Sequence, residues 1–199
     1  MGDGVNRRQV LTGAAALAGS SLISRPVAAA QAPAEVYLLR GGVVGIFSTG
    51  MNDIGSLLAQ RGVNAVVQGH TSWNTIASRI IMERQKFGRA PLALVGHSFG
   101  ADAVVKIAEV VRREKIPVNV LISLAATNPD PVPSNVKRAV GYYFSEHGWG
   151  LPLAAGPGFS GKLSNRDYSG DSGVSHFNID KQHAIQDEIM QLVLWSVGQ

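Results

Sequence analysis

From Glu35 onward the chain alternates short unbroken apolar runs with segments whose apolar residues recur every three or four positions. The first pattern is that of a strand buried on both faces, and the second that of a helix with one buried face. Val36-Tyr37-Leu38-Leu39 is the first strand and ends at Arg40-Gly41-Gly42. A helix follows with Ile54, Leu57 and Leu58 on one face, stopped by Gly62. Asn64 to Val67 is the next strand, and Asn74 to Phe87, with Ile76, Ile80 and Phe87 roughly aligned, is a helix ended by Gly88. Pro91 to Val95 is a third strand, and Ala101 to Glu114 carries Val104, Ile107, Ala108 and Val111 at helical spacing. Strands at Val118–Leu124 and Ala139–Phe144 follow, and a last helix, Lys181 to Val197, aligns Ile185, Ile189, Leu192 and Val193. This alternation predicts an α/β fold with a mostly parallel central sheet and helices on both faces.

Between the last strand and the last helix, Ser145 to Ser175 is long and rich in Gly, Ser, Asn and Asp, and reads as a functional loop. A length of 199 residues with 45% hydrophobic content and a mean hydropathy of +0.10 suffices for one domain with a full core. The absence of Cys excludes disulfides, a thiolate nucleophile and Cys-ligated metals.

The N-terminus reads as an address. Asn6-Arg7-Arg8-Gln9-Val10-Leu11 opens with paired arginines, Val10 to Ile23 is a weakly hydrophobic Ala/Gly-rich run, and Arg25-Pro26-Val27-Ala28-Ala29-Ala30 closes it with small residues. That is the layout of a twin-arginine export signal cleaved after Ala30, followed by one domain over 31–199. The run is short and alanine-rich for a bilayer span, so no stable membrane span is expected in the mature form. The expected partner of the leader is the twin-arginine export machinery, and the expected destination is the bacterial periplasm or exterior. Removing Arg7, Arg8, Arg25 and Asp3 takes 18 basic and 14 acidic side chains to 15 and 13, so half of the net charge of +4 belongs to the address. No basic stripe remains, which argues against nucleic-acid binding.

Within this frame Gly96-His97-Ser98-Phe99-Gly100 spells Gly-x-Ser-x-Gly between a strand-like and a helix-like run. Such a context makes a nucleophile elbow, with Ser98 at the tip of a strained turn and two glycines keeping it free of side-chain bulk. Serine needs a base to attack at neutral pH. Of five histidines, His176 lies in a loop just before the last helix and is the candidate base. His97 reads as a packing residue, His70 as a pocket-lining residue at the carboxyl edge of the sheet, His147 as a surface-loop residue and His183 as part of the last helix. For the acid that orients the base, Asp130 follows the strand after the elbow helix, within Asn128-Pro129-Asp130-Pro131, where it also suits an ordinary turn; Glu146 is the rival. Asp180 reads as the N-cap of the last helix.

These residues resemble the α/β-hydrolase superfamily, in its small, cap-less lipase, esterase and thioesterase-like branch. The resemblance spans Val36 to Val197; Leu94 to Ala101 carries it most specifically, and Ser175 to Asp180 looks like the family's late histidine segment. It implies a three-layer fold without a cap domain, and an oxyanion hole from the backbone N–H of Phe99 and of Gly41 or Gly42, with Gly42 preferred. Arg40-Gly41-Gly42 stands where the family more often has His-Gly.

The resemblance further implies a triad of Ser98, His176 and an acid, Asp130 or its rival Glu146, that cleaves a small-molecule or lipid carboxylic ester through an acyl-enzyme, chemistry that requires no metal or organic cofactor; the family's acid commonly follows the strand after the one preceding Asp130. An open site rimmed by the 145–175 loop, Trp73 and Trp149 is expected. An acyltransferase, thioesterase or peptidase on the same scaffold, or a non-catalytic binding protein of the same fold, are the alternatives.

Overall fold

A computed structural model of the protein describes Met1 and residues 35–42, 46–146 and 149–199. The export signal expected over residues 1–30 and His147 therefore lie outside the described residues, Met1 apart.

Among the described residues six strands form one parallel sheet: β1 (Glu35–Arg40), β2 (Ala65–Gly69), β3 (Leu92–His97), β4 (Val120–Leu124), β5 (Arg138–Tyr143) and β6 (Lys162–Asp167), in the spatial order β2-β1-β3-β4-β5-β6. Four α-helices accompany them among the described residues: α1 (Gly50–Gln60), α2 (Trp73–Phe87) and α3 (Phe99–Arg113) connect the first four strands in turn, and α4 (His183–Val197) follows β6.

The apolar runs of β1, β3 and β4 have no polar face because both of their faces are covered. Val36 and Leu38 join Ala93, Val95 and Ile122 under α1 and α4, while Tyr37 and Leu39 join Leu92, Leu94 and Leu121 under α2 and α3. The result is three layers, with no separate cap among the described residues. Gly62 and Gly88 follow α1 and α2 with positive φ of 76° and 79°, backbone that glycine adopts without steric cost and that ends each helix.

Two expectations are corrected. The 145–175 segment is not all loop, because it contains β6, paired to β5 along its whole length. Lys-Leu-Ser-Asn-Arg-Asp has no apolar run because this is an edge strand, largely exposed, with only Leu163 packed on the core; its charged side chains also protect the open edge. Nor does Asp180 cap α4, which begins at His183 behind Gln182. Asp180 lies in a 3₁₀ turn and its carboxylate accepts the Gly50 N–H at 2.9 Å, so it caps α1 instead.

Sheet order places the site. β1 leads outward to β2, whereas β3 leads to β4 on the other side, so the loops leaving β1 and β3 diverge and open a crevice at their carboxyl ends. Gly41 and Gly42 follow β1, and Ser98 follows β3.

Candidate active site

Ser98 sits at φ 58° and ψ −128°, between β3 and α3. A side-chain-bearing residue in that region stores about 1–3 kcal/mol of strain, so the surroundings must enforce it. Ser98 N–H donates to Leu124 O at 2.9 Å, and Ala101 N–H donates to Ser98 O at 2.8 Å. A Cβ on Gly96 would strike the Gly100 carbonyl, and one on Gly100 would strike the Leu39 carbonyl. The motif glycines are therefore required by close backbone approach.

His176 meets Ser98 as the sequence predicts, with Nε2 3.0 Å from Ser98 Oγ. Its Nδ1 lies 2.8 Å from the carbonyl oxygen of Trp149. A carbonyl can only accept, so Nδ1 carries the proton and Nε2 presents its lone pair to the serine O–H. The Trp149 carbonyl thus fixes the tautomer that a carboxylate usually fixes. It is held by the next two residues: Gly150 O accepts Phe144 N–H at 3.1 Å, and Leu151 N–H donates to Ala126 O at 2.7 Å.

Neither candidate acid reaches this group. Asp130 and Glu146 are exposed, and no hydrogen bond joins either carboxylate to His176. Pro129 and Pro131 stiffen a surface turn around Asp130, and Glu146 is anchored through its backbone N–H to Ser169 Oγ at 3.1 Å. The expected Ser98–His176–Asp130 triad is, in this structure, a Ser98–His176 pair completed by a backbone oxygen.

His97 does more than pack. Its ring is 1% exposed, with Nε2 2.7 Å from His176 O and Nδ1 2.8 Å from Ser48 Oγ. Burial, the dominant cause, pushes its pKa down to about 4, against the pull of the hydrogen bond to His176. A neutral His97 must then donate from Nε2 and accept at Nδ1.

Gly41 N–H donates to Ser48 Oγ at 3.0 Å, which removes it as an oxyanion donor. Gly42 (φ 75°) and Phe99 line the same cavity as Ser98, and among the described residues neither backbone N–H is engaged. A Cβ on Gly41 would lie 2.6 Å from Ser98 Cβ and 2.9 Å from Phe99 N, so this turn tolerates only glycine.

The cavity around Ser98 measures about 120 Å³ and is walled by Phe47, Phe99, Trp149 and Phe177. A second, of about 230 Å³, lies beyond Trp149 and Phe177 and is lined by Phe144 and Val174. Trp149 fulfils the expectation of a rim residue; Trp73, the first residue of α2, does not line the Ser98 cavity and packs against the core instead. His70 stands behind the rim, its ring 5.4 Å from that of Phe99, and does not line the Ser98 cavity. His183 is exposed at the start of α4.

Three contributors carry little or no sequence signal of their role. Ser48 looks like an ordinary residue before a helix. The Trp149 carbonyl is backbone and leaves no mark on residue type. Asp102, buried in the first turn of α3, accepts the backbone N–H groups of Thr127 and Asn128 at 3.0 Å each, and also the Thr127 hydroxyl, tying the loop after β4 to the elbow helix. Its one hint is a carboxylate among the apolar positions of that helix.

No protein-family model and no curated protein matches the chain. Solved structures do. A protein of the alpha/beta hydrolase superfamily from Xanthomonas campestris pv. campestris is 13% identical, covering 80% of this chain and 95% of its own, with a TM-score of 0.43. The NocB thioesterase domain, solved as a covalent complex with a fluorophosphonate nocardicin G analog, is 12% identical, covering 85% of this chain and 96% of that one, with a TM-score of 0.50. The chain has the α/β-hydrolase fold. The RedJ thioesterase from Streptomyces coelicolor matches at 15% identity, 86% and 96% coverage and a TM-score of 0.44. In an α/β-hydrolase fold the crevice between the ends of β1 and β3 is where Ser98 stands here.

Proposed function

We propose that this protein is a serine hydrolase of uncharged, apolar carboxylic esters that works through an acyl-enzyme. One observation carries the reading: Ser98 Oγ lies 3.0 Å from the unprotonated Nε2 of His176, whose other nitrogen is tied down. Ser98 Oγ attacks the substrate carbonyl carbon as its proton passes to Nε2. The Phe99 and Gly42 N–H groups receive the developing oxyanion, each worth about 3 kcal/mol if well aimed. Collapse expels the alcohol, which takes the proton from Nε2, and a water activated by the same nitrogen then hydrolyses the acyl-serine.

Support for apolar substrates comes from the walls. The side chains of Phe47, Phe99, Trp149 and Phe177 are 48–60% exposed around the serine, and among the described residues no Asp, Glu, Lys or Arg lines either cavity. Both cavities fall below the 300–1,000 Å³ or so of ordinary ligand pockets, which favours short acyl groups. Thioesters differ only in the leaving group and stay within the reading, since NocB, of the same fold, is a thioesterase.

The test is hydrolysis of p-nitrophenyl esters from acetate to laurate, with fluorophosphonate labelling of Ser98. Turnover that peaks at short chains and vanishes in Ser98→Ala supports the reading; an unlabelled, inactive wild type ends it. Residues 1–30 are proposed to export the domain by the twin-arginine route to the periplasm or beyond. Fused to a reporter, they should export it, and the joint Arg7→Lys, Arg8→Lys change should stop export.

A further inference from the structure

We propose that Ser48 and His97 are positioning residues: a buried relay from the Gly41 amide through both side chains to the His176 carbonyl holds the general base and the oxyanion loop in one fixed relation. The inference rests on the catalytic reading of Ser98 and His176 given above.

Donor and acceptor counting makes the relay directional. The His176 carbonyl can only accept, so His97 Nε2–H donates to it at 2.7 Å, and Nδ1 is left as an acceptor. Among the described residues the Ser48 hydroxyl is the donor to it, at 2.8 Å, nearer than the 3.4 Å from that hydroxyl to the Gly41 carbonyl. Having given its one hydrogen, Ser48 Oγ accepts the Gly41 N–H at 3.0 Å. Every polar atom of the chain is thereby used, and with Ser48 and His97 each 1% exposed, water does not compete for these bonds.

The relay joins segments far apart in sequence: the end of β1, the entry to α1, the end of β3 and the loop before α4. The Trp149 oxygen aims the His176 ring, but it belongs to a rim residue whose side chain is 60% exposed and offers no carboxylate charge. His97 holds the same residue by its backbone, from inside. Spending the Gly41 N–H on Ser48 also leaves Gly42 as the next amide facing the substrate cavity. The two imidazole centroids are 5.3 Å apart, so when His176 takes the serine proton a second cation there would oppose it. Burial keeps His97 neutral and removes that penalty.

A histidine that only filled space would be replaceable by leucine, whereas a relay needs a donor and an acceptor. Glutamine supplies both at a similar reach. His97→Leu should lower kcat and the rate of phosphonate labelling of Ser98 by about 30-fold with KM unchanged, the scale of a misplaced catalytic group, and His97→Gln should recover most of the loss. Ser48→Ala should fall about tenfold, rescued by Ser48→Thr. Full activity in His97→Leu, or His97→Gln falling as far as His97→Leu at equal melting temperature, overturns the proposal. Wild-type protein that neither labels nor turns over ester sinks the catalytic reading alone. In that case the protected Nδ1–H proton of His176 in NMR spectra still reads the relay: its loss in His97→Leu and return in His97→Gln uphold it, and its persistence in His97→Leu refutes it.

Discussion

Asp180 gives the sharpest test of the physical reasoning. Its side chain is fully buried, one carboxylate oxygen accepts Gly50 N–H, and the other has no partner among the described residues. Burial is the largest influence and raises its pKa from the ordinary 3.8 to about 6, against the Lys181 charge and the Gly50 N–H. Between those values the folded protein keeps a proton that the unfolded chain has released, so stability falls as pH rises through the window and levels off above it. At 1.36 kcal/mol per pH unit the loss is about 3 kcal/mol.

His97 acts in the opposite sense. Its pKa drops from 6.5 to about 4 on folding, so its stability is intact above pH 6.5 and is lost as pH falls toward 4, by about 3 kcal/mol. The two slopes nearly cancel in the wild type, which hides both. Asp180→Asn should expose the His97 slope. The variant begins at pH 4 less stable by about 1–3 kcal/mol, because an amide N–H now faces the unpartnered position. It then gains about 3 kcal/mol relative to wild type by pH 6.5. Urea unfolding of both proteins at half-unit intervals from pH 4 to 7.5 measures this directly. A difference between the two that stays constant with pH would refute the assignment.

Asp130→Asn and Glu146→Gln should each leave kcat/KM within about twofold of wild type, since neither carboxylate touches His176, whereas loss of a true triad acid costs about 10⁴-fold; p-nitrophenyl acetate kinetics decide. Trp149→Ala keeps the carbonyl and removes the ring, so kcat should hold within about threefold while KM for apolar acyl esters rises about tenfold, as expected for a lost aromatic wall. Gly41→Ala should cut phosphonate labelling by about 100-fold and lower stability by about 1–3 kcal/mol, read by labelling rate and melting temperature, because its Cβ presses on Ser98 and Phe99.

The layout was readable wherever burial leaves a mark on residue type. Strands covered on both faces must be apolar throughout, so β1, β3 and β4 stood out, and α3 announced itself through Val104, Ile107 and Val111. The elbow was legible because only small residues survive where Gly96 meets Gly100 and Gly100 meets Leu39. β6 was hidden because an exposed edge strand needs no apolar residues. The partner of His176 was hidden more deeply, since any residue at position 149 would offer the same oxygen. Side chains alone point to a carboxylate there, Asp130 or Glu146, whereas the fold fills the position with backbone. Asp180 misled for a related reason: a residue next to one helix in sequence caps another in space.

On the proposed reading of Ser98 as nucleophile and His176 as base, their order along the chain bears on when the protein becomes active. Ser98 and its elbow are complete once β4 is in place, but His176 lies 78 residues later and reaches the serine only when the segment before α4 docks. A growing polypeptide can therefore hold a strained serine that has no base to activate it. On that reading, synthesis keeps the nucleophile latent until the segment before α4 docks.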